Sequence, residues 1–104
     1  MTQPLRDEVW LWDLGMVEKV RPALVMSAGY GDLDRALITV FPHTTSLRGS
    51  EFEISVPVAF LKPVAFLVQN VATYPVFRAI RKLGVLRREQ FDPVGAGLLR
   101  WLGY

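Results

Sequence analysis

Residues 41–54, FPHTTSLRGSEFEI, join two strand-like runs through a polar turn. The first run ends in four polar side chains, those of His43, Thr44, Thr45 and Ser46. Arg48 and Gly49 then provide a turn, and apolar and polar residues alternate from Phe52 onward. The stretch therefore predicts two strands of one sheet, with hydroxyl groups where the first of them ends.

Other short runs rich in β-branched and aromatic residues lie on both sides of this stretch. The predicted strands cover residues 9–14, 20–27, 35–42, 52–56 and 65–69. Turn residues such as Gly29 and Asp32 separate them. Short strands with close turns favour a mainly β fold, either a small barrel or a strongly bent sheet.

The C-terminal segment has a helical period instead. Its large apolar residues fall on one helical face, and they are Phe91, Val94, Leu98, Trp101 and Leu102. Asp92 followed by Pro93 fits an N-cap and a first helical residue. Gly95 and Gly97 each cost a helix about 1 kcal/mol relative to alanine. The sequence thus predicts an amphipathic helix from about Pro93 that depends on packing.

Composition limits the chain to one small domain, residues 1–104, with a single core. The hydrophobic fraction is 51%, with three Trp and six Phe, more than a small monomer usually buries. We therefore expect a homodimer or another homo-oligomer. The formal net charge of +2 permits an acidic partner without requiring one.

The same sequence argues against a membrane or a secreted location. The longest apolar stretch, residues 56–68, is interrupted by Pro57, Lys62 and Pro63, so it is too short to span a bilayer. Charged residues precede any N-terminal apolar run, as no signal peptide would allow. Without cysteine there is neither a disulfide nor a thiolate nucleophile. We expect a cytoplasmic protein.

Several common kinds of site are also absent from the sequence. The lone His43, without cysteine, cannot build a transition-metal site, and no phosphate-binding glycine loop or serine-hydrolase motif occurs. What remains is a set of hydroxyl groups together with Arg21 and Arg48 near predicted strand ends. Arginine binds phosphate oxygens bidentately, and hydroxyl groups add neutral donors. The set suits metal-free phosphodiester chemistry, although ordinary surface residues remain the alternative.

Four segments, in this order, resemble the motifs of the MazF/PemK toxins of type II toxin–antitoxin systems. They are EVWLWDLG (8–15), KVRPALVMS (19–27), VFPHTTSLRGSEFEI (40–54) and RKLGVL (81–86). The resemblance implies a homodimeric SH3-like barrel of about five to seven strands with a C-terminal helix. It also implies an endoribonuclease that cuts single-stranded RNA at short sequences without a metal or another cofactor, and that is inhibited by an antitoxin with a flexible acidic tail.

The resemblance further implies residue roles. Arg21, in the Arg-Pro pair, is similar to the family's catalytic arginine, and Thr44 to its catalytic threonine. In that scheme the 2′-hydroxyl of the RNA attacks the adjacent phosphate, leaving a 2′,3′-cyclic phosphate and a 5′-hydroxyl. The residues expected to contact the substrate are Glu18, Lys19, Thr45, Ser46, Arg48 and Gln69.

For three residues the sequence leaves two interpretations open. Thr45 alternates with Thr44 in a regular strand, so it is either an interior hydroxyl or an RNA contact. His43, by the same alternation, faces away from Thr44, which favours a packing or interface role over that of a general base. Glu18 either supplies a carboxylate to the site or is solvated.

The sequence also departs from the family pattern. The loop at residues 15–20 is shorter than in better-known members, and Val68 and Val71 stand where many members have an acidic residue and an arginine. Two other functions therefore stay open. One is a toxin of the same fold that poisons DNA gyrase, and the other is a lapsed homologue that binds RNA or antitoxin without cutting RNA.

Overall fold

A computed structural model describes residues 3–15, 19–62 and 65–104. These residues form seven strands, two short 3-10 turns and one helix. The strands are β1 Glu8–Asp13, β2 Val20–Val25, β3 Leu37–Thr44, β4 Glu53–Ile54, β5 Ala65–Leu67, β6 Ala72–Pro75 and β7 Ala79–Val85. The helix, α1, spans Arg88–Trp101. The prediction of a mainly β fold with five to seven strands and a C-terminal helix is confirmed.

The individual strand predictions differ from the structure at their ends and in number. The second run ends at Val25 rather than Ser27, and the fifth ends at Leu67 because Val68–Asn70 form a 3-10 turn. Strands β6 and β7 were not predicted. Three successive residues of β7, Ile80 to Lys82, are exposed, so its sequence lacks the alternation that marks a half-buried strand.

All strand pairs are antiparallel. β1 lies between β2 and β7, and β2 lies between β1 and β3. The first half of β3 pairs with β6, whereas its last two residues pair with β5, which in turn pairs with the short β4. Because β3 changes partner along its length, the sheet is divided into two parts that meet at the end of β3. The residues following β3 therefore lie at a corner of the sheet.

The sheet buries apolar residues on both of its faces. One cluster lies on the helix side and contains Val9, Leu24, Met26, Phe41, Phe66, Val68, Leu86, Phe91 and Val94. The other contains Trp10, Trp12, Leu14, Ala23, Val25, Ile38, Val40 and Ala79. Neighbouring residues such as Val9 and Trp10 belong to different clusters because side chains alternate along a strand. The first strand is therefore covered on both of its faces.

The predicted start of the helix is wrong. α1 begins at Arg88, more than a turn before Pro93, and the Gln90 side chain accepts a hydrogen bond from the backbone N–H of Arg87 at 2.8 Å. This contact replaces the expected Asp92 cap, and Pro93 lies in the second turn at the cost of one backbone hydrogen bond.

Packing against the sheet stabilises α1 although its sequence contains Gly95 and Gly97. A side chain at Gly97 would meet Ile54 at 3.0 Å, so glycine allows the helix to approach β4 closely. Phe91 and Val94 are buried as predicted, whereas Trp101 and Leu102 remain largely exposed. Among the described residues, no helix has the length and hydrophobicity needed to cross a bilayer.

Candidate active site

The register of β2 and β3 places the two predicted catalytic residues side by side. The ladder pairs Val25 with Val40 and ends with Ala23 opposite Pro42. Two further residues in the same register would bring Arg21 opposite Thr44. Residues directly opposite each other in an antiparallel pair project to the same side of the sheet. The start of β2 and the end of β3 therefore present both side chains to one place.

A cleft of about 270 Å³ lies at this point. Its lining consists of Val20, Arg21, Pro22, His43, Thr44, Thr45 and Ser46, and we call it the Arg21 cleft. It brings together four of the residues that were singled out in the sequence, Arg21, Thr44, Thr45 and Ser46. The cleft thus combines one guanidinium group with three hydroxyl groups, which is a donor set suited to a phosphate.

The Thr44 hydroxyl group also closes the turn that follows β3. Its Oγ1 accepts a hydrogen bond from the Ser46 N–H at 3.0 Å and lies 3.4 Å from the Ser46 carbonyl oxygen. Threonine and serine make such local contacts with the backbone where a strand ends. The Thr44 side chain is 8% exposed, so these contacts fix the position of its hydroxyl group at the edge of the cleft.

Thr45 is exposed and borders the cleft, so the interpretation as an interior hydroxyl is wrong. The interpretation assumed a regular strand, but β3 ends at Thr44 and the chain turns there. Alternation between opposite faces no longer applies beyond that residue.

His43 packs against the core and also borders the cleft. Its ring lies edge-on to Phe66, with 5.4 Å between ring centroids, in agreement with the packing interpretation. Burial lowers the pKa of His43 below the ordinary value of 6.5, and the positive charge of Arg21 lowers it further, while a backbone hydrogen bond at Lys62 opposes both effects. The imidazole is therefore neutral at neutral pH, and it lies close enough to Arg21 to sense its charge.

A second depression, of about 370 Å³, adjoins the Arg21 cleft, and Ser46 lines both. Its lining is Ser46, Arg48, Ser50, Glu53, Leu67, Gln69 and Asn70, and we call it the Glu53 pocket. The predicted substrate residues Arg48 and Gln69 lie here, both exposed. The structure therefore does not bring these two to the cleft itself but to a neighbouring position along the same surface.

Glu53 organises the loop that forms this pocket. Its carboxylate accepts hydrogen bonds from the backbone N–H groups of Arg48, at 3.0 and 3.1 Å to its two oxygens, and of Ser50, at 2.9 Å. These bonds lower the pKa of Glu53, with the Arg48 N–H as the largest cause. Glu53 was not among the predicted site residues. The spacing Ser50-x-x-Glu53 is the signal that could have indicated it, because such a glutamate commonly accepts from the serine N–H.

A third depression, of about 540 Å³, adjoins the cleft on its other side, and Val20 lines both. Its lining is Asp13, Gly15, Lys19, Val20, Phe77, Arg78 and Ile80, and we call it the Phe77 pocket. Lys19 lies here instead of in the Arg21 cleft, in a left-handed conformation with φ of 59°. Neither Phe77 nor Arg78 stood out in the sequence, since nothing local relates them to the first two strands.

The remaining predicted positions lie elsewhere. Glu18 is outside the described residues. Val68 is completely buried in the helix-side cluster, and Val71 packs against that cluster, so both departures from the family pattern are core positions here. An aspartate at position 68 would bury a carboxylate in apolar surroundings. Within residues 3–15, 19–62 and 65–104, no three histidine or acidic side chains are grouped so that they could hold a metal ion.

Known structures share this fold along almost the full length. A mycobacterial endoribonuclease solved in complex with its cognate antitoxin matches with a TM-score of 0.82 and 21% identity, covering 96% of this chain and 95% of that one. MazF from Deinococcus radiodurans matches with a TM-score of 0.81 and 23% identity over 100% of both chains. The MazE–MazF complex of that organism matches with a TM-score of 0.81 and 21% identity, covering 99% and 98%.

At the level of sequence, no curated protein matches the chain significantly. One family model does match, over residues 5–102, and it describes the PemK-like, MazF-like toxins of type II toxin–antitoxin systems. The match includes every strand, the helix and all three depressions described above. On this evidence the chain belongs to the PemK-like, MazF-like family of type II toxins.

Proposed function

We propose that this toxin is an endoribonuclease that cuts single-stranded RNA at short sequences without a metal ion. The observation that carries the proposal is the Arg21 cleft, in which a guanidinium group meets the hydroxyl groups at the end of β3. The mycobacterial structures with the same fold are endoribonucleases, which agrees with this assignment.

The proposed reaction is an internal transesterification. The 2′-oxygen of one nucleotide forms a bond to the adjacent phosphorus as the bond from phosphorus to the 5′-oxygen breaks. The proton of the 2′-hydroxyl passes to solvent, and the leaving 5′-oxygen takes up a proton from solvent. The products are a 2′,3′-cyclic phosphate and a 5′-hydroxyl, and the atoms balance without an external water molecule.

Arg21 stabilises the charge that develops on the phosphoryl oxygens in this reaction. A guanidinium group binds two oxygens at once and stays protonated at any pH of interest. It therefore acts as an electrostatic group, because a guanidinium group that stays protonated is a poor proton donor. Its place at the start of β2, half-buried and opposite the end of β3, limits the number of positions a phosphate can take.

Thr44 orients the phosphate. Its Oγ1 already accepts a hydrogen bond from the Ser46 N–H, and it donates only a long one, 3.4 Å between oxygens, to the Ser46 carbonyl group. A phosphate oxygen in the cleft would accept a shorter hydrogen bond from this hydroxyl group. Because the hydroxyl group is fixed before substrate arrives, little reorganisation is needed as charge develops.

The other predicted substrate residues follow the RNA away from the cleft. Thr45 and Ser46 border the cleft itself, and Arg48 and Gln69 continue along the Glu53 pocket. Lys19 lies in the Phe77 pocket on the opposite side. Glu18 stays a predicted substrate contact. We assign the strand of RNA to a path across these three depressions, with the scissile phosphate in the middle.

The proposal includes the partners. The protein acts as a single domain of residues 1–104 in the cytoplasm, forms a homodimer, uses no cofactor and is inhibited by an antitoxin with a flexible acidic tail. Relatives with this fold were solved with antitoxins, and the net charge of +2 is compatible with an acidic partner. A stable dimer should bury about 1,200 Å² or more in total. Sedimentation at micromolar concentration should give twice the chain mass of 11.8 kDa, and a mass of one chain would contradict the dimer.

Primer extension on a long RNA treated with purified protein in EDTA tests the activity. We expect stops at one short sequence, with 5′-hydroxyl ends and cyclic phosphates, and no stops with Arg21→Ala. Cleavage that requires added Mg²⁺ would contradict the metal-independent mechanism. Binding of RNA without any cleavage would support the lapsed homologue, and inhibition of gyrase supercoiling without RNA cleavage would support the gyrase toxin.

A further inference from the structure

Phe77 is an exposed aromatic residue beside the proposed active site. Its side chain is 78% exposed, at the 3-10 turn Val76–Arg78 between β6 and β7. A phenylalanine gains most by burial, so one that faces solvent in a depression marks a surface that binds something. No packing role within the described part of the chain accounts for it, since Phe77 belongs to neither apolar cluster.

Two cationic side chains share the Phe77 pocket. Arg78 is held in place, because Nη1 lies 3.5 Å from the Asp13 carbonyl oxygen and the guanidinium group lies 5.8 Å from the Tyr74 ring centroid. That contact with Asp13 uses one of the five N–H donors of a guanidinium group. Lys19 also lines the pocket and adds an ammonium group. An exposed aromatic ring together with cations is the combination by which proteins bind single-stranded nucleic acid.

The carboxylate of Asp13, in the same pocket, does not neutralise the two cations. The side chain of Asp13 accepts a hydrogen bond from the Gly15 N–H at 3.1 Å, so it serves the turn after β1. Among the described residues that line it, one carboxylate and two cations give a net positive charge. An anion is therefore favoured over a neutral molecule and over a second copy of this cationic face, and the neighbouring aromatic ring favours an anion that carries bases.

The Phe77 pocket is continuous with the Arg21 cleft. Val20 lines both depressions, and it lies between Lys19 and Arg21 in the chain. Two residues of chain span at most about 7 Å, so a phosphate at Arg21 and a group bound beside Lys19 are close neighbours. An RNA strand that places its scissile phosphate in the cleft therefore has an adjacent nucleotide at the pocket.

We propose, on the basis of the function proposed above, that the Phe77 pocket is a subsite for a nucleotide flanking the scissile phosphate. The base of this nucleotide stacks on Phe77, and its phosphate is bound by Lys19 and Arg78. Every base has a flat face, so stacking adds affinity without selecting a sequence. The Phe77 pocket thus lengthens the bound RNA, whereas base selection takes place elsewhere.

A binding cycle with abasic RNA tests the stacking contact directly. Labelled uridine oligonucleotides with 2′-deoxy sugars, which cannot be cleaved by 2′-hydroxyl attack, are compared with versions that carry one abasic position in turn. For the wild type, one abasic position should weaken binding about tenfold, as expected for the loss of one stacked base. Phe77→Ala should bind the intact oligonucleotide about tenfold more weakly and should lose this dependence on the base.

Matched variants separate stacking from other roles of the ring. Phe77→Trp should retain the affinity, whereas Phe77→Leu should lose most of it, because leucine is apolar but has no aromatic face. Leu33→Ala removes a fully exposed apolar side chain that lines none of the three depressions, and it should bind like the wild type. Lys19→Gln should lower the slope of log affinity against log salt by about 0.7, the value for one phosphate contact on a single strand.

The results distinguish the inference from the proposed function. Because these oligonucleotides cannot be cleaved, the cycle gives an answer whether or not the protein is a nuclease. Cleavage by the wild type together with an unchanged abasic effect in Phe77→Ala would overturn the inference alone. A Phe77→Ala protein that sediments as a monomer while the wild type is a dimer would also overturn it, since the pocket would then be an interface between two chains.

Discussion

The two depressions beside the Arg21 cleft are constructed in different ways. The Glu53 pocket is formed mainly by a short loop, and one carboxylate holds that loop through backbone N–H groups three to five residues away. The Phe77 pocket combines residues near the end of β1, the start of β2 and the turn before β7. Each pocket joins two parts of the chain, but local hydrogen bonds shape the loop of residues 46–53, whereas Phe77 and Arg78 reach Lys19 only through the tertiary packing of the strands.

The two pockets also differ in the chemical groups that they present. The Glu53 pocket presents amides, hydroxyl groups, a carboxylate and the guanidinium group of Arg48, which can read the hydrogen-bonding edges of bases. The Phe77 pocket presents an aromatic ring and two cations, which bind any base and its phosphate. We therefore expect variants on the Glu53 side to change sequence preference and variants on the Phe77 side to change affinity alone.

The largest effect is expected in the Arg21 cleft, which adjoins both depressions. Arg21→Ala should lower kcat/KM for RNA by about 10³-fold, because it removes both a ground-state phosphate contact and the stabilisation of developing charge. Arg21→Lys keeps the charge but loses the bidentate geometry, and it should recover only part of the activity. Single-turnover cleavage of an RNA with one defined site measures both variants, and wild-type rates for Arg21→Ala would refute the assignment.

Thr44→Ala should have the next largest effect, a fall of about 10²-fold in the rate of the chemical step, as for one lost oxyanion donor. Binding should change little, since the hydroxyl group contributes mainly as charge develops. Thr44→Ser keeps the hydroxyl group and its contact with the Ser46 N–H, and it should stay within a few fold of the wild type. Equal losses in both variants would show that the methyl group matters instead.

Glu53→Gln should weaken RNA contacts only on the side of the Arg21 cleft where the Glu53 pocket lies. Amide oxygen is a weaker acceptor than carboxylate, so the loop should loosen and RNA affinity should fall by about fivefold to tenfold, with a change in preferred sequence. Glu51→Gln, two residues earlier on the exposed side of the same loop, is the matched control and should behave like the wild type. An unchanged cleavage sequence in Glu53→Gln would remove the distinction between the two pockets.

The pH dependence of stability tests the same carboxylate independently. The pKa of Glu53 is lowered from 4.5 in the folded protein, so its bonds contribute stability above about pH 4.5 and lose that contribution as the pH falls through the lowered pKa. The difference in Tm between the wild type and Glu53→Gln should thus be largest near pH 7 and small near pH 3. A difference that grows on acidification would have the wrong sign.

The smallest effect on catalysis is expected at His43. His43→Ala should leave the cleavage rate within a few fold but lower the free energy of unfolding by about 1–3 kcal/mol, because the ring packs on Phe66. His43→Phe keeps an aromatic ring there and should restore most of the stability. Because the pKa of His43 is lowered from 6.5, the wild type should lose stability as the pH falls below that value, and His43→Phe should not.

The His43 variants also show whether His43 or Thr44 is the catalytic residue. If His43→Phe folds normally but abolishes cleavage, while Thr44→Ala has little effect, then the neutral imidazole beside Arg21 is the catalytic group. The packing interpretation of His43 would then be incomplete, and the assignment would move back by one residue.

Much of the fold and the centre of the site could be predicted from local patterns. Alternation and β-rich composition gave five of the seven strands, and the Arg-Pro and Thr-Thr motifs pointed to the two side chains that the cleft unites. β7 could not be recognised from its sequence, because the exposed charged residues Arg81 and Lys82 interrupt the alternation of apolar and polar residues that marks a strand. The Asp92-Pro93 pair was a misleading cap signal, because Gln90 provides the contact one turn earlier.

The sequence by itself determined the local properties: strand-forming runs, the helix, the positive balance of charge, and a loop in which Ser50 and Glu53 are spaced to bond to each other. Only the tertiary structure decided which distant residues lie close together in space. The register of β2 against β3 places Arg21 beside Thr44, and the path of β7 brings Phe77 and Arg78 to Lys19. The reason is physical. Hydrogen bonds within a loop depend on residues a few positions apart, whereas pairing between strands depends on how the whole apolar pattern is buried.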